Sequence, residues 1–218
     1  MPASPNDRWP PHIKALHWTL VLAILVEIPA GFLMSFTYGP SFRDAHILAL
    51  HNLVSQIHHT AGFLILAAAC AWVAIRLFSE RPGFPSGMPR WQGGLARGVQ
   101  SALLALLILI PWSGWTALSA LEDSARFGAT HIWFFGSDGL VPRIWRPLSA
   151  NDPHGYARFA RLHVRFLIAA GVIVALHIGS AAWHHFVLRD RILGRMWPDL
   201  SGAAPNYNSS HPTPPPPR

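Results

Sequence analysis

Four long apolar runs dominate this 218-residue chain. The first extends from Ala15 to Phe36 with Glu27 as its only acidic or basic residue, and the second fills Val54 to Ile75, between Asp44 and Arg76. The third runs uncharged from Gly98 to Leu121, and the fourth lies between Arg165 and Arg189. A hydrocarbon core of about 30 Å is crossed by about 20 helical residues. Lipid offers backbone amides no partner, so only helices or closed barrels span it, and these runs are far too long for barrel strands. The sequence therefore predicts an all-α membrane protein, a four-transmembrane-helix bundle with helices at about 13–36, 53–78, 95–121 and 159–187. The bundle occupies residues 13–200, between a cytoplasmic N-terminal segment (1–12) and a Pro-rich tail (201–218) that ends HPTPPPPR and is expected to be disordered. The first run is too long for the apolar core of a cleavable signal, and no A-x-A site follows it, so it is expected to remain as a span.

Composition excludes the soluble alternatives. Hydrophobic residues make up 51% and charged residues only 12%, about half the usual charged share of a globular domain, so a water-facing surface cannot be covered. The net charge of +7 forms no basic face for nucleic acid, because the cations are scattered around the apolar runs. They read better as topology. Arg8, Lys14, Arg76, Arg81, Arg90, Arg97, Arg189, Arg191, Arg195 and Arg218 flank one side of the bundle, ten against seven on the other. The seven are Arg43, Arg126, Arg143, Arg146, Arg158, Arg161 and Arg165. By the positive-inside rule both termini are cytoplasmic. The connectors are residues 37–52, the Pro/Gly-rich 79–94, and 122–157, whose Trp133, Phe134, Phe135 and Trp145 suit a membrane interface.

Cys70 is the only cysteine, which removes disulfide scaffolds, CxxC zinc sites and cysteine-ligated clusters. Any metal centre must draw on the 13 histidines. Most histidines near helix ends are interfacial side chains, but ionisable groups inside a span are functional candidates, and here they fall at two depths. His163 and His177 are 14 residues apart on the fourth helix, so they share a face, about 40° apart in azimuth and about 21 Å along the axis. With alternating helices, His58 meets His163 at the outer depth, and His17 lies toward the inner side with His177. Two pairs of imidazoles in a bundle interior suit two bis-histidine hemes. Two choices stay open. His59 competes with His58, which is preferred because Gly62 follows it on the same face. His184 shares the stripe with His177 and equally faces His17, but a His163/His184 arrangement would separate the irons by about 31 Å.

At these positions the chain resembles a known family. ALHW at 15–18, IHHTAG at 57–62 followed by Arg76, PWSGW at 111–115 and LHIGSAAWHHFVLRDRILGRMWP at 176–198 are similar to the bacterial cytochrome b561 family, over about residues 12–198. The resemblance implies four helices, two heme b groups, axial ligands at His17, His58, His163 and His177, and electron exchange with ubiquinone in the bacterial inner membrane. One branch is similar to superoxide oxidase, which passes electrons from periplasmic superoxide to ubiquinone. The chain departs from the family pattern at His59, where many members have Lys, and in LARGVQSALL, which opens the third helix without the His and Tyr often seen there.

Other residues carry two readings each. Glu27, about 15 Å along the helix from His17, is either a proton relay to a quinone or an acid beside the helix-bending Pro29. Arg158, Arg161 and Arg165 bracket His163 and read as snorkelling interfacial cations, with binding of heme propionates or of an anion such as superoxide as the alternative. His184, His185, Phe186, Arg189 and Asp190 read as an interface anchor, with a quinone-site histidine as the alternative. Trp18, Trp112, Trp115 and Trp183 read as belt or packing residues. Arg143 and Arg146 give the outer side positive charge suited to an anionic donor. The resulting expectation is a diheme cytochrome moving electrons between a donor and the quinone pool, with no acid/base triad and with lipid, quinone and a small donor or partner redox subunit as its contacts. The competing accounts are an anchor subunit of a larger dehydrogenase or hydrogenase, and a non-redox transporter or zinc-binding bundle. Transporters show broken helices or duplicated halves, and no internal repeat appears in this chain.

Overall fold

The computed structural model describes residues 9–78, 88–119, 153–190 and 192–197. These form five helices and one short 3-10 turn: α1 (Pro11–Tyr38), the turn (Pro40–Phe42), α2 (Ala45–Phe78), α3 (Arg90–Ser119), α4 (Pro153–Phe186) and α5 (Ile192–Met196). Among the described residues there is no strand. Helices α1 to α4 are each long and apolar enough to cross a membrane, so the all-α, four-span architecture stands. The tail and parts of the second and third connectors, including Arg143 and Arg146, lie outside the described residues.

The helices are longer than hydropathy alone suggests. Helix α2 has 34 residues, about 51 Å at 1.5 Å per residue, well beyond the hydrocarbon slab. It absorbs residues 45–52, which sequence places in a loop, because Asp44 caps it: its Oδ1 accepts from the backbone N–H of His46 (2.7 Å) and Ile47 (3.2 Å). A carboxylate there satisfies orphan donors and opposes the helix dipole. Helix α1 starts with Pro11 in its first turn, where a missing N–H costs nothing. Likewise α3 begins at Arg90, with the Pro89 carbonyl accepting from Gln92 and Gly93.

Packing follows membrane rather than aqueous rules. Large apolar side chains such as Leu22, Phe32, Leu64, Ile168 and Leu176 face outward, whereas the fully enclosed residues are the small Ala69, Ser55 and Ser113. Small residues let helix backbones approach closely where lipid supplies no hydrophobic drive between helices. Helix α1 packs intimately on α2, and α3 on α4, while α2 and α3 join the two pairs more loosely. In contrast, α4 makes few or no close backbone approaches to α1 or α2. The bundle is thus two tight helix pairs, with α4 held off from α1 and α2 by side-chain depth. At the end holding the N-terminus of α1, the Trp18 indole donates to the Met196 carbonyl (2.8 Å) and packs edge-on against Trp197. These contacts fasten α5 to α1.

Candidate functional site

The histidines on α2 and α4 meet across the separation between the two pairs. The rings of His58 and His163 stand 6.1 Å apart, centre to centre. Each is held from behind by the other helix of its own pair, and the two supports are built alike. His163 Nδ1 lies 2.7 Å from the Ile110 carbonyl on α3, and its ring edge covers Gly114, where a Cβ would come within 3.1 Å. His58 Nδ1 lies 3.4 Å from the Glu27 carbonyl on α1, and its edge covers Gly31, where a Cβ would come within 2.9 Å. In both cases the carbonyl belongs to residue i and the glycine to residue i+4, one helical turn on. Glycine is required at both places because the imidazole occupies the space a side chain would take.

Carbonyl oxygens only accept, so the proton of each ring sits on Nδ1 and Nε2 keeps its lone pair. Ser113, whose hydroxyl donates to the same Ile110 carbonyl (2.7 Å), lies 3.3 Å from His163 Nδ1. The first pair adds something the second lacks: Glu27 Oε1 is 3.0 Å from His58 Nδ1. On α1 alone, Glu27 is placed relative to His17. The structure instead turns it to His58, with Gly62 making room (a Cβ there would lie 3.2 Å from Oε1). Glu27, His58, His59, Gly114, Trp115 and His163 share the wall of one cavity. The His59 and His58 rings stand 5.8 Å apart, centre to centre, and the buried His59 Nδ1 has no hydrogen-bond partner among the described residues.

The second pair lies toward the other end of the bundle. His17 and His177 are within electrostatic reach of each other, and the His17 ring is flanked edge-on by Trp18 (5.6 Å) and Trp72 (5.9 Å). His184 points elsewhere. Its Nδ1 is 2.5 Å from Asp190 Oδ2, while Oδ1 of the same carboxylate accepts from the Ile192 N–H (3.0 Å) at the start of α5. Arg158, Arg161 and Arg165 are exposed, and Trp115 packs on Phe63 at 5.0 Å. Gly31 and Ile110 carry no signal of their own in the sequence, and Ser113 and Gly114 stand there only as letters of PWSGW. A glycine four residues after Glu27 was the available signal, but it means nothing until α1 is docked on α2.

The residues at the His58/His163 position fit a heme. A metal–imidazole bond of about 2 Å, plus about 1.2 Å from nitrogen to ring centre, places opposed rings about 6.4 Å apart across one iron, close to the separation seen. The orientation of the Nδ1 protons is the one that metal-bound histidines adopt. Among the described residues no group of three or more His, Cys, Asp or Glu is placed to hold a bare metal ion.

Comparison with known proteins identifies the family of the chain. A family model described as prokaryotic cytochrome b561 matches residues 8–199. The chain is also 22% identical over 184 residues to Cytochrome b561 homolog 1 of Escherichia coli (strain K12), across 84% of this chain and 93% of that protein.

Proposed function

Because the chain belongs to the prokaryotic cytochrome b561 family, whose model covers residues 8–199, we propose that this membrane electron-transfer protein is a diheme b-type cytochrome of the bacterial inner membrane, linking a periplasmic donor to ubiquinone. Heme b, when bound, supplies a one-electron iron(III)/iron(II) couple. His58 and His163 would hold one heme, nearer the periplasm, and His17 and His177 the other, nearer the cytoplasm. By giving two imidazoles to each heme, His58 with His163 and His17 with His177 would leave no coordination position for dioxygen, so the protein's part would be to hold the groups and keep oxygen from the iron. The donor we favour is superoxide. Two superoxide anions each give up one electron and leave as dioxygen, and ubiquinone takes two electrons and two protons to become ubiquinol.

The observation that carries this reading is the His58–His163 pair, facing at 6.1 Å with both Nδ1 atoms engaged by backbone carbonyls of the supporting helices. Such a pair serves no folding purpose that two apolar residues would not serve better, since imidazole is costly to bury. The test is heme quantification and a reduced-minus-oxidised visible spectrum on purified protein. About two low-spin hemes per chain are expected in the wild type and one in His163→Ala. A wild type with one heme, or a His163→Ala protein with two, would reject the assignment.

A further inference from the structure

The two histidines of the His58–His163 pair are supported unequally. At His163 the acceptor is the Ile110 carbonyl at 2.7 Å, and the Ile110 side chain offers no acceptor. At His58 the equivalent carbonyl, that of Glu27, stands off at 3.4 Å, and the carboxylate of the same residue comes closer, at 3.0 Å. The contact is enclosed within the span: both side chains are less than one-fifth exposed, and Glu27 Oε2 is buried with no hydrogen-bond partner among the described residues. An imidazole bound to iron through Nε2 keeps its proton on Nδ1, so Glu27 Oε1 accepts.

We propose that Glu27 is a positioning residue, holding His58 by its Nδ1 proton and lowering the reduction potential of the heme that His58 and His163 would share. This rests on the ligand assignment given under Proposed function. A glutamate acceptor draws the proton off the imidazole and makes the ligand more basic, which favours iron(III). Among the described residues no carboxylate contacts His17 or His177, so the effect of Glu27 falls on the outer heme alone and lowers its potential relative to the inner one.

The test is a spectroscopic redox titration of the purified full-length holoprotein, comparing wild type, Glu27→Gln and Glu27→Leu. Glutamine keeps a neutral acceptor of the same shape, and leucine leaves only the backbone carbonyl of residue 27. The outer wave is identified as the one missing from His163→Ala. It should rise in Glu27→Gln by roughly tenfold in the reduction equilibrium, which is 59 mV for one electron, and by more in Glu27→Leu. The inner wave should stay in place, with heme content unchanged. An outer wave that does not move, an equal shift of both waves, or loss of the outer heme from both variants would overturn the proposal. If His163→Ala retains both waves, the ligand assignment itself falls and takes this inference with it.

Discussion

His163 gives its Nδ1 proton to the carbonyl of Ile110, 2.7 Å away on α3, and lies with that edge of the ring against Gly114. The His58–Gly31 contact on α1 and α2 repeats the arrangement, so each helix pair delivers one imidazole backed by a carbonyl and a glycine one turn apart.

Filling those glycine positions should therefore damage the site locally. A methyl at Gly31 would meet His58 Cε1 at 2.9 Å, and one at Gly114 would meet His163 Cε1 at 3.1 Å. Overpacking of this kind costs about 1–3 kcal/mol. Gly31→Ala should lower the melting temperature of the holoprotein and weaken heme retention, and Gly114→Ala should do the same to a smaller degree. A Cβ at Gly171 or Gly179 on α4 would meet no other group of the described residues within 4 Å, so Gly171→Ala and Gly179→Ala should be neutral or stabilising by about 0.5–1 kcal/mol. Equal behaviour of all four in a melt would contradict the packing described.

The choice between His177 and His184 is open to a direct comparison. His184 is committed to Asp190, which also caps α5, whereas His177 is within electrostatic reach of His17. His177→Ala should lose one heme. His184→Ala should keep two and lose only the local fastening, about 1 kcal/mol. Heme counts with the reverse result would move the inner ligand to His184.

The spans were legible because lipid demands about 20 apolar helical residues whatever the tertiary context. The His163/His177 stripe was legible for a similar reason, since helical periodicity alone puts both on one face. What escaped depends on how one helix is rotated against another. Glu27 could be measured against His17 on its own helix, but its contact with His58 exists only once α1 docks on α2. Gly31 and Ile110 carry no chemistry of their own and matter because of what leans on them. The start of α2 at Ala45 was missed because capping by Asp44 extends a helix past the hydrocarbon limit that hydropathy detects.

Trp18 ties the chain's far end to its beginning through one hydrogen bond to Met196 (2.8 Å) and an edge contact with Trp197. Trp18→Phe keeps most of the packing and removes the donor, at a cost of about 1 kcal/mol. Limited trypsin digestion should then cut faster after Arg195, the basic residue within α5. Unchanged cleavage would mean that the hydrogen bond does not hold α5 in place.

The choice of donor turns on charge. Superoxide is an anion that hydrocarbon excludes, so a periplasmic supply must be met at the outer surface, near the His58/His163 pair. On the topology proposed, Arg43 and, outside the described residues, Arg126, Arg143 and Arg146 give that side its cations. A positive field raises the arrival rate of an anion and fades as salt shortens the Debye length from about 10 Å at 0.1 M to about 3 Å at 1 M. Superoxide should therefore reduce the purified protein at a rate that falls with ionic strength, and a ubiquinone analogue should reoxidise it. Replacing Arg143 and Arg146 together by Gln should slow the first step several-fold at low salt, flatten its salt dependence and leave heme content unchanged. His163→Ala, lacking the outer heme, is the control: if superoxide reduces it as fast as the wild type, the donor is not met at that heme. A protein that superoxide does not reduce, but that copurifies with a redox subunit able to reduce it, would instead be the membrane anchor of a larger complex.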